Sequence, residues 1–326
     1  MKYESSMVRA FAALSVALSA VAASPAAANG NYPERPIKII VGFGAGGPVD
    51  AVARMLSQHL TKEFGQPVVV ENKPGADTRL AMDLVKSAAP DGYTLSVVDS
   101  GLAVNALFFT ERPYDPIKDF SPVFYIGDVP FLIATSQKIK VSNLNEFIAY
   151  AKANPGKLNY AGTASSTALA GAMLNRVAGV DTVLVRYKGA AFGVPALISG
   201  EVDYMVTAVG GLTNLIKEGK VNGLAVTSPM RSPLLPDVPT TAEAGLSGMS
   251  YVNWYAVIGP AGMPKSIVDR LSAALKSAAA VPDVQDRMKT LGLIANAKTP
   301  EQFRAFLSEE VPKIDETIRA AKLRPE

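Results

Sequence analysis

The sequence predicts an α/β fold built from two domains, with a ligand cleft between them. Strands alternate with helices along most of the chain, and this alternation favours parallel sheets covered on both faces. A proline-rich interruption at residues 113–130 divides the alternation into two sets. The length of 326 residues favours two domains of roughly 100 to 200 residues each. Clefts between domains are favoured ligand sites.

The N-terminal segment predicts export. Residues 1–28 begin with basic side chains, continue with an apolar run over residues 10–23 and end in small residues at Ala28. This is the layout of a cleavable signal peptide, with cleavage expected after Ala28. The apolar run is shorter than the roughly 20 residues that span a bilayer, which disfavours a retained membrane helix. Both Met1 and Met7 remain candidates for the start of translation.

The composition excludes several kinds of chemistry and partner. The chain contains no cysteine, so disulfides, thiolate chemistry and a lipid-bearing cysteine at the cleavage site are excluded. Without residues 1–28 the chain has 298 residues and a formal charge of +2. This balance gives no indication of nucleic-acid binding. The sequence therefore predicts a monomer free in a bacterial periplasm.

The first set of elements surrounds a glycine-rich turn. Residues 37–43 have the pattern of a buried strand, residues 44–47 form the turn, and residues 49–64 have helical spacing. A strand, a helix and a third strand are then expected at residues 68–70, 80–88 and 93–98.

The second set follows the prolines. Strands and helices continue to alternate, at residues 131–135, 144–153, 158–161, 168–177, 183–185, 194–198, 204–206 and 224–226. One more strand and three helices are expected at residues 251–258, 267–279, 284–291 and 301–321. The last helices are expected to return to the first domain. The predicted first domain therefore comprises residues 29–129 and 253–326, and the second comprises residues 130–252.

The turn at residues 42–47 matches the pattern Gly-x-Gly-x-x-Gly between a strand and a helix. With Glu71 ending the next strand, it is similar to a dinucleotide fingerprint. The geometry suits any anion, because glycines allow close approach and the free amides at a helix start attract negative charge. Three interpretations remain open: a dinucleotide site in an exported oxidoreductase, a carboxylate site, and a turn without a ligand. Nicotinamide cofactors are scarce outside the cytoplasm, which argues against the first.

Short motifs follow one another along the mature chain. They include Tyr-Pro-Glu-Arg-Pro-Ile at residues 32–37, Val-Val-Glu-Asn at 69–72, Pro-Asp-Gly-Tyr-Thr-Leu at 90–95, Tyr-Lys-Gly at 187–189 and Leu-Pro-Asp-Val-Pro-Thr at 235–240. Together they resemble the Bug family, the periplasmic receptors of tripartite tricarboxylate transporters. The resemblance implies a two-domain periplasmic-binding-protein-like fold that closes over a small carboxylate: a dicarboxylate, an amino acid or an aromatic acid. It also implies docking on a membrane permease or a sensor protein, without catalysis.

By this resemblance, the first turn holds a ligand carboxylate through backbone amides. The expected positions are Phe43, Gly44, Ala45, Gly46 and Gly47. Asp50 is expected to cap or orient this loop. The second turn departs from the Gly-Ala-Gly-Gly of the family, since it contains an aspartate and a threonine in place of the last two glycines. Its candidate ligand residues are Ala76, Asp77, Thr78 and Arg79.

Two interpretations of this second turn remain open. Arg79 can clamp a carboxylate while Asp77 meets an amine, which would suit a zwitterion. Alternatively, Asp77 caps a helix and Arg79 is solvated.

The second domain offers a turn rich in hydroxyl groups for the other end of the ligand. Its candidate residues are Thr163, Ala164, Ser165, Ser166 and Thr167. A helix cap accounts for only one or two of these hydroxyls. Phe192 stands where the family generally has proline, and it is expected either to form an apolar wall with Phe43 or to lie in the core. By resemblance Asp203 begins a strand near the cleft, where direct contact and a hydrogen-bonding or hinge role are both open.

Catalytic groups are scarce. His59 is the only histidine, so no histidine-based metal cluster or catalytic triad can be built. No Ser-x-x-Lys motif stands beside a turn that could stabilise an oxyanion. The sequence therefore predicts a binding protein without catalytic activity, cofactor or metal.

Overall fold

The computed structural model describes residues 32–109, 111–321 and 323, so the predicted signal peptide at residues 1–28 lies outside the described residues. The strands are β1 (Ile37–Val41), β2 (Val68–Asn72), β3 (Thr94–Asp99), β4 (Phe120–Ser136), β5 (Asn159–Gly162), β6 (Val183–Arg186), β7 (Tyr204–Ala208), β8 (Val221–Val226), β9 (Val252–Pro260) and β10 (Ile294–Lys298). The helices are α1 (Pro48–Phe64), α2 (Arg79–Lys86), α3 (Gly101–Phe108), α4 (Leu144–Ala153), α5 (Ser165–Ala178), α6 (Ala190–Ser199), α7 (Thr213–Lys217), α8 (Lys265–Ala279), α9 (Pro282–Thr290) and α10 (Pro300–Ala320). None of these helices combines the length and apolar character needed to cross a membrane.

The first half of the sheet is built on β1. This strand pairs in parallel with β2 on one side and β3 on the other. Beyond β3, β9 runs antiparallel between β3 and β4. Ile39, Ile40 and Val41 are all buried, so both faces of β1 are covered, as is usual for parallel strands between helices.

Strand β4 is 17 residues long and belongs to both halves of the protein. Its first part, residues 120–130, pairs with β9. Its last part, from Phe131, pairs with β7 and β8. The chain crosses from the first half to the second in β4 and crosses back at β9. The two crossings lie side by side, because Val252 at the start of β9 is opposite Pro130. The predicted domain limits lie beside this change of partner, and their positions stay a prediction.

The carboxyl ends of β3 and β7 lie near these crossings. Asp99, the last residue of β3, pairs with Tyr255 on β9. Ala208, the last residue of β7, pairs with Phe131, where β4 enters the second half. Strand β5 pairs in parallel with β7, and β6 pairs in parallel with β5, so the carboxyl ends of these strands lie on the same side of the sheet. Ligands of α/β sheets bind outside the carboxyl ends of the strands, so the loops that follow these strands are the candidates for a binding site.

The last helix, α10, contributes to the cores of both halves. Phe303 packs against Tyr125 and Trp254, with ring centres 5.5 and 5.4 Å apart. Further along the helix, Ile314 and Ile318 belong to an apolar cluster made mostly of residues from the second half. The last helices were expected to return to the first domain. Helix α10 does so, and it also packs against the second half.

Helix α3 was not predicted from the sequence. All eight of its residues are buried, so no polar face marks it as an amphipathic helix. It belongs to the same apolar cluster as residues of α5, including Leu107 and Leu169. This packing places α3 beneath the loops that end β2 and β5.

Candidate ligand-binding site

The loop after β1 is held in shape by Asp50. Oδ2 of this buried carboxylate accepts a hydrogen bond from the Gly46 amide at 2.9 Å, and Oδ1 accepts one from Asn72 Nδ2 at 2.9 Å. Asn72 Nδ2 also donates to the carbonyl oxygen of Phe43 at 3.1 Å. Gly46 has a φ of 81°, which glycine adopts without steric cost. The prediction that Asp50 orients the loop is confirmed.

Arg54 balances the buried charge of Asp50. Its Nε donates to Asp50 Oδ2 at 2.9 Å, and its Nη2 donates to Asn72 Oδ1 at 3.0 Å. Burial by itself raises the pKa of Asp50, but the hydrogen bonds from Arg54, the Gly46 amide and Asn72 outweigh burial and hold this pKa below its ordinary value. Asp50 is therefore ionised at neutral pH, which is the form that accepts all of these hydrogen bonds.

The same loop presents free backbone donors at its tip. Gly44, Ala45 and Gly46 are exposed, whereas Phe43 and Gly47 are half-buried. The amides of Gly44 and Ala45 donate no hydrogen bond to any described residue. Helix α1 begins directly after Gly47. A helix start combines unpaired amides with the positive end of the helix dipole, so this loop suits an anion.

The loop after β2 has an uncommon backbone conformation. Ala76, Asp77 and Thr78 have φ values of 45°, 52° and 73°. Residues other than glycine populate this left-handed region rarely, at a cost of order 1–3 kcal/mol each. The glycines that the family resemblance leads us to expect at positions 77 and 78 would adopt it freely. The side chains of Asp77 and Thr78 therefore replace residues that the backbone itself would favour.

The loops after β1 and β2 pack directly on each other. A Cβ atom at Gly42 would lie 2.7 Å from the Cβ of Thr78, which is closer than two carbon atoms can approach. The first glycine of the Gly-x-Gly-x-x-Gly pattern therefore serves this close packing, whereas Gly44 is exposed and Gly47 is half-buried.

Asp77 connects the two halves of the protein. Its Oδ2 accepts hydrogen bonds from the amide of Ser165, at 3.3 Å, and from the Ser165 hydroxyl. Ser165 is the first residue of α5. Asn105 on α3 supports Asp77 from behind, since its Nδ2 donates to the Asp77 carbonyl oxygen and lies 3.2 Å from Thr78 Oγ1. Two predicted site residues that are 88 positions apart in sequence are thus brought into contact.

Asp99, at the end of β3, places a second carboxylate near Asp77. It is only 8% exposed, and its Oδ1 accepts a hydrogen bond from the Gly101 amide at 2.9 Å. Burial raises the pKa of Asp99 to about 7; the Gly101 amide opposes the shift and the Asp77 carboxylate adds to it. A cavity of about 10 Å³, lined by Asp99, Phe43 and Thr78 among others, has room for about one water molecule.

The hydroxyl-rich turn before α5 is organised by Thr167. Its Oγ1 accepts hydrogen bonds from the amides of Thr163 and Ala164, both at 2.9 Å, and donates to the Ala164 carbonyl oxygen at 2.8 Å. The Thr167 hydroxyl is therefore used within the turn. The Ser165 hydroxyl is used by Asp77, and ligand contacts by Thr163, Ala164 and Ser166 stay a prediction.

Helix α6 lies against this turn through Gly193. A Cβ atom there would lie 2.4 Å from Thr163 Cγ2, so only glycine allows the approach. The neighbouring Phe192 is 62% exposed. The interpretation of Phe192 as a core residue is therefore wrong, and its role as an apolar wall for a ligand stays a prediction.

Arg186 is a cation near the cleft that was not among the site residues predicted from the sequence. It is the exposed last residue of β6, and its guanidinium lies 4.8 Å from the centre of the Phe108 ring on α3. Within the described ranges its side chain has no carboxylate partner, so it is available to an anionic ligand. In the sequence it precedes Tyr-Lys-Gly and resembles ordinary surface charge, which is why no local signal marks it.

Arg79 is the first residue of α2 and points along that helix. Its side chain is half-exposed, and its Nε lies 3.8 Å from Asp83 Oδ2. A pair at this distance on a solvated surface contributes little. A clamp on a ligand carboxylate stays a prediction for Arg79.

Asp203 directly precedes β7 and lies at the amino ends of the parallel strands in the second half. Its Oδ2 accepts a hydrogen bond from the amide of Asn159 at 2.8 Å, and Asn159 begins β5. The turn of residues 163–167 follows the opposite, carboxyl end of that strand. The expectation that Asp203 lies near the cleft is therefore wrong. Strands β5 and β7 are parallel, so Asp203 at their amino ends is separated from the turn of residues 163–167 by the length of β5. The hydrogen-bonding alternative agrees with the structure.

The residue that completed the dinucleotide-like pattern is engaged elsewhere. Glu71 Oε1 lies 3.2 Å from Lys38 Nζ, and Glu71 Oε2 lies 3.6 Å from Lys73 Nζ. A ribose-binding carboxylate has to be free to accept hydrogen bonds from the ribose hydroxyl groups. In addition, the described residues include no group of three His, Asp or Glu side chains close enough to hold a metal ion.

The sheet has two halves, and loops from both halves meet at the contact of Asp77 with Ser165. Beside them lies the start of α1, which favours an anion. These features are typical of a solute-binding protein of the periplasmic type. A family model for the tripartite tricarboxylate transporter family receptor matches residues 52–323. The chain belongs to this receptor family, so the predicted resemblance and the predicted two-domain fold are confirmed.

Three solved structures illustrate the similarity. The periplasmic binding protein BugD is 35% identical with a TM-score of 0.80, covering 90% of this chain and 100% of that one. Rpa4515 of R. palustris, solved with adipate, is 28% identical with a TM-score of 0.83, covering 90% and 100%. MatC of Rhodopseudomonas palustris, solved with bound malate, is 32% identical with a TM-score of 0.78, covering 88% and 100%. The family to which the chain belongs is one of transporter receptors, so the chain is a substrate-binding protein and not an enzyme.

Proposed function

We propose that this protein is a periplasmic receptor that captures a small carboxylate between its two halves and delivers it to a tripartite tricarboxylate-type permease. One feature supports this proposal above all. The free amides of Gly44 and Ala45 lie at the start of α1, and the neighbouring loop reaches the start of α5 in the other half through the contact of Asp77 with Ser165. A ligand between these loops would touch both halves at once.

The chemistry of the site favours a carboxylate over a dinucleotide. Backbone amides at a helix start bind carboxylates and phosphates alike, but Glu71 is paired with Lys38 and Lys73 and is not free to hold a ribose. The malate of MatC and the adipate of Rpa4515 are both carboxylates. Arg186 supplies a further positive group for such a ligand.

Delivery to a membrane partner and the periplasmic address are parts of the same proposal. The family to which the chain belongs is named for transporter receptors, and the signal peptide predicted at residues 1–28 accounts for export. We also propose the domain limits given above, with hinge motion at the paired crossings of β4 and β9. Closure on a ligand would then lower the radius of gyration in X-ray scattering.

The proposal is tested with the mature protein, residues 29–326. Its thermal unfolding is followed with a panel of mono-, di- and tricarboxylates, amino acids and aromatic acids, and separately with reduced nicotinamide dinucleotide. A cognate carboxylate at 100 times its dissociation constant should add about 2.7 kcal/mol of stability. Stabilisation by the dinucleotide alone would contradict the receptor function.

A further inference from the structure

The start of α5 already holds a carboxylate, which comes from the opposite half of the protein. Asp77 Oδ2 lies 3.3 Å from the amide nitrogen of Ser165 and also accepts a hydrogen bond from its hydroxyl. Helix α5 is 14 residues long, and the positive end of such a helix favours an anion at its first turn. Asp77 thus occupies the position that a second ligand carboxylate would take.

The backbone holds Asp77 in this position. Its φ of 52° lies between those of Ala76 and Thr78, which are also left-handed. A run of this kind persists only where the surroundings determine it. Here Asn105 does so, because its Nδ2 bonds both the Asp77 carbonyl oxygen and the Thr78 hydroxyl. The carboxylate is therefore directed toward α5 and is not a mobile surface group.

The wall around Asp77 is rich in hydrogen-bond acceptors. Asn105 is only 1% exposed, and its Oδ1 has no hydrogen-bond partner within the described part of the chain. Leaving a buried acceptor unpaired is unfavourable, so a donor group placed beside it is stabilised. The Asp99 carboxylate and a cavity with room for one water molecule lie next to the same loop. Such a wall attracts donors and repels a second anion.

We propose that Asp77 is a specificity-determining residue that fills the anion position at α5, so that the preferred ligand carries one carboxylate and a hydrogen-bond-donating or cationic group at its other end. The carboxylate of the ligand binds the amides of the loop after β1. The opposite end lies against Asp77 and Asn105. This inference rests on the proposed carboxylate-receptor function and narrows its ligand class.

Two series of acids that differ only at the distal end test this selectivity. The six-carbon series is hexanoate, 6-aminohexanoate and adipate, and the four-carbon series is butyrate, 4-aminobutyrate and succinate. Calorimetric titration compares the mature protein with Asp77→Gly, which suits the left-handed backbone, and with Asp77→Asn, which keeps the shape of the side chain. Asp286→Asn is the control, because it removes an exposed carboxylate on α9 that lies outside the site.

In at least one series, the unmodified protein should bind the amino acid about tenfold or more tightly than the diacid, since like charges in contact are costly. Asp77→Gly and Asp77→Asn should lower this ratio by about tenfold or gain diacid binding, and Asp286→Asn should leave it unchanged. Equal or tighter binding of diacids by the unmodified protein, or a ratio that both Asp77 variants preserve, overturns the role of Asp77 while leaving a carboxylate receptor in place. If neither the unmodified protein nor Asp77→Gly binds any of the six acids while another carboxylate of the wider panel stabilises the mature protein, the ligand class assigned through Asp77 is overturned and the receptor function stands. If no carboxylate binds in either experiment, the receptor function itself is contradicted.

Discussion

Gly42 and Thr78 lie so close that a single added Cβ atom at position 42 would stand 2.7 Å from the Thr78 Cβ. The two loops of the first half are therefore closely fitted to each other at this point. Gly44, two residues further, has no atom within 4 Å of the corresponding point. The two glycines provide a matched pair for testing the packing.

Gly42→Ala should lower the free energy of unfolding by about 1–3 kcal/mol, the usual cost of overpacking. Gly44→Ala should change it by no more than about 0.5 kcal/mol, because the added methyl group meets open space. Urea unfolding followed by circular dichroism measures both. Thr78→Gly in the Gly42→Ala background should recover part of the loss, and an equal effect of the two single substitutions would show that the contact is unimportant.

Asp50→Asn should lower the free energy of unfolding at pH 7 by about 1–3 kcal/mol, since it weakens the charged hydrogen bonds to Gly46 and Arg54. Because the native pKa of Asp50 lies below its ordinary value of 3.8, the ionised form stabilises the native state above that pH. The stabilisation is lost as pH falls through the native pKa. Unfolding measured from pH 7 to pH 3 should show the two proteins converging below about pH 4, and a constant difference would contradict this role.

Asp99 should have the opposite pH dependence. Its native pKa is raised to about 7 from 3.8, so the native state retains a proton that the unfolded state has lost between these values. Stability of the unmodified protein should therefore fall with rising pH relative to Asp99→Asn, by up to about 1.4 kcal/mol per pH unit, and level off above about pH 7. Parallel stability profiles of the two proteins between pH 5 and pH 8 would rule out the buried proton.

Arg186→Ala should weaken carboxylate binding by about 1–3 kcal/mol, the scale of a charged hydrogen bond. Arg79→Ala should weaken it by less than about 1 kcal/mol, because Arg79 is solvated and lies beside Asp83. Calorimetric titration of the two variants with the same acid gives the comparison. A larger loss at Arg79 would restore the clamp expected from the sequence.

The elements that were predicted correctly are those with a local cause. The turn at residues 42–47 and helix α1 follow from glycines next to an apolar pattern, and Asp50 stands where a loop-orienting carboxylate is expected. Strand β4 was predicted only from residue 131, because Pro122 and Pro130 interrupt its first part. The structure accommodates Pro122 at an irregularity in the pairing of β4 with β9, as prolines in strands require.

The parts of the site that were missed depend on contacts between distant residues. Asn105 lies on the fully buried helix α3, which has no polar face to reveal it. Asp99 and Arg186 end strands in different halves, and their sequence neighbours give no sign that both lie near the cleft. The placement of Asp203 by family resemblance was wrong because its position in the sequence does not say which end of the sheet it occupies.

The proposed receptor function depends most directly on a carboxylate bound by the amides after β1. Gly44→Asp adds a negative charge at the open tip of that loop without a steric conflict, and Gln58→Glu adds the same charge on the exposed face of α1. In calorimetric titration with the best-bound acid of the panel, Gly44→Asp should weaken binding by about tenfold or more, because like charges in contact are costly, and Gln58→Glu should bind as the unmodified protein does. Equal affinity of Gly44→Asp and Gln58→Glu would contradict a carboxylate site at this loop.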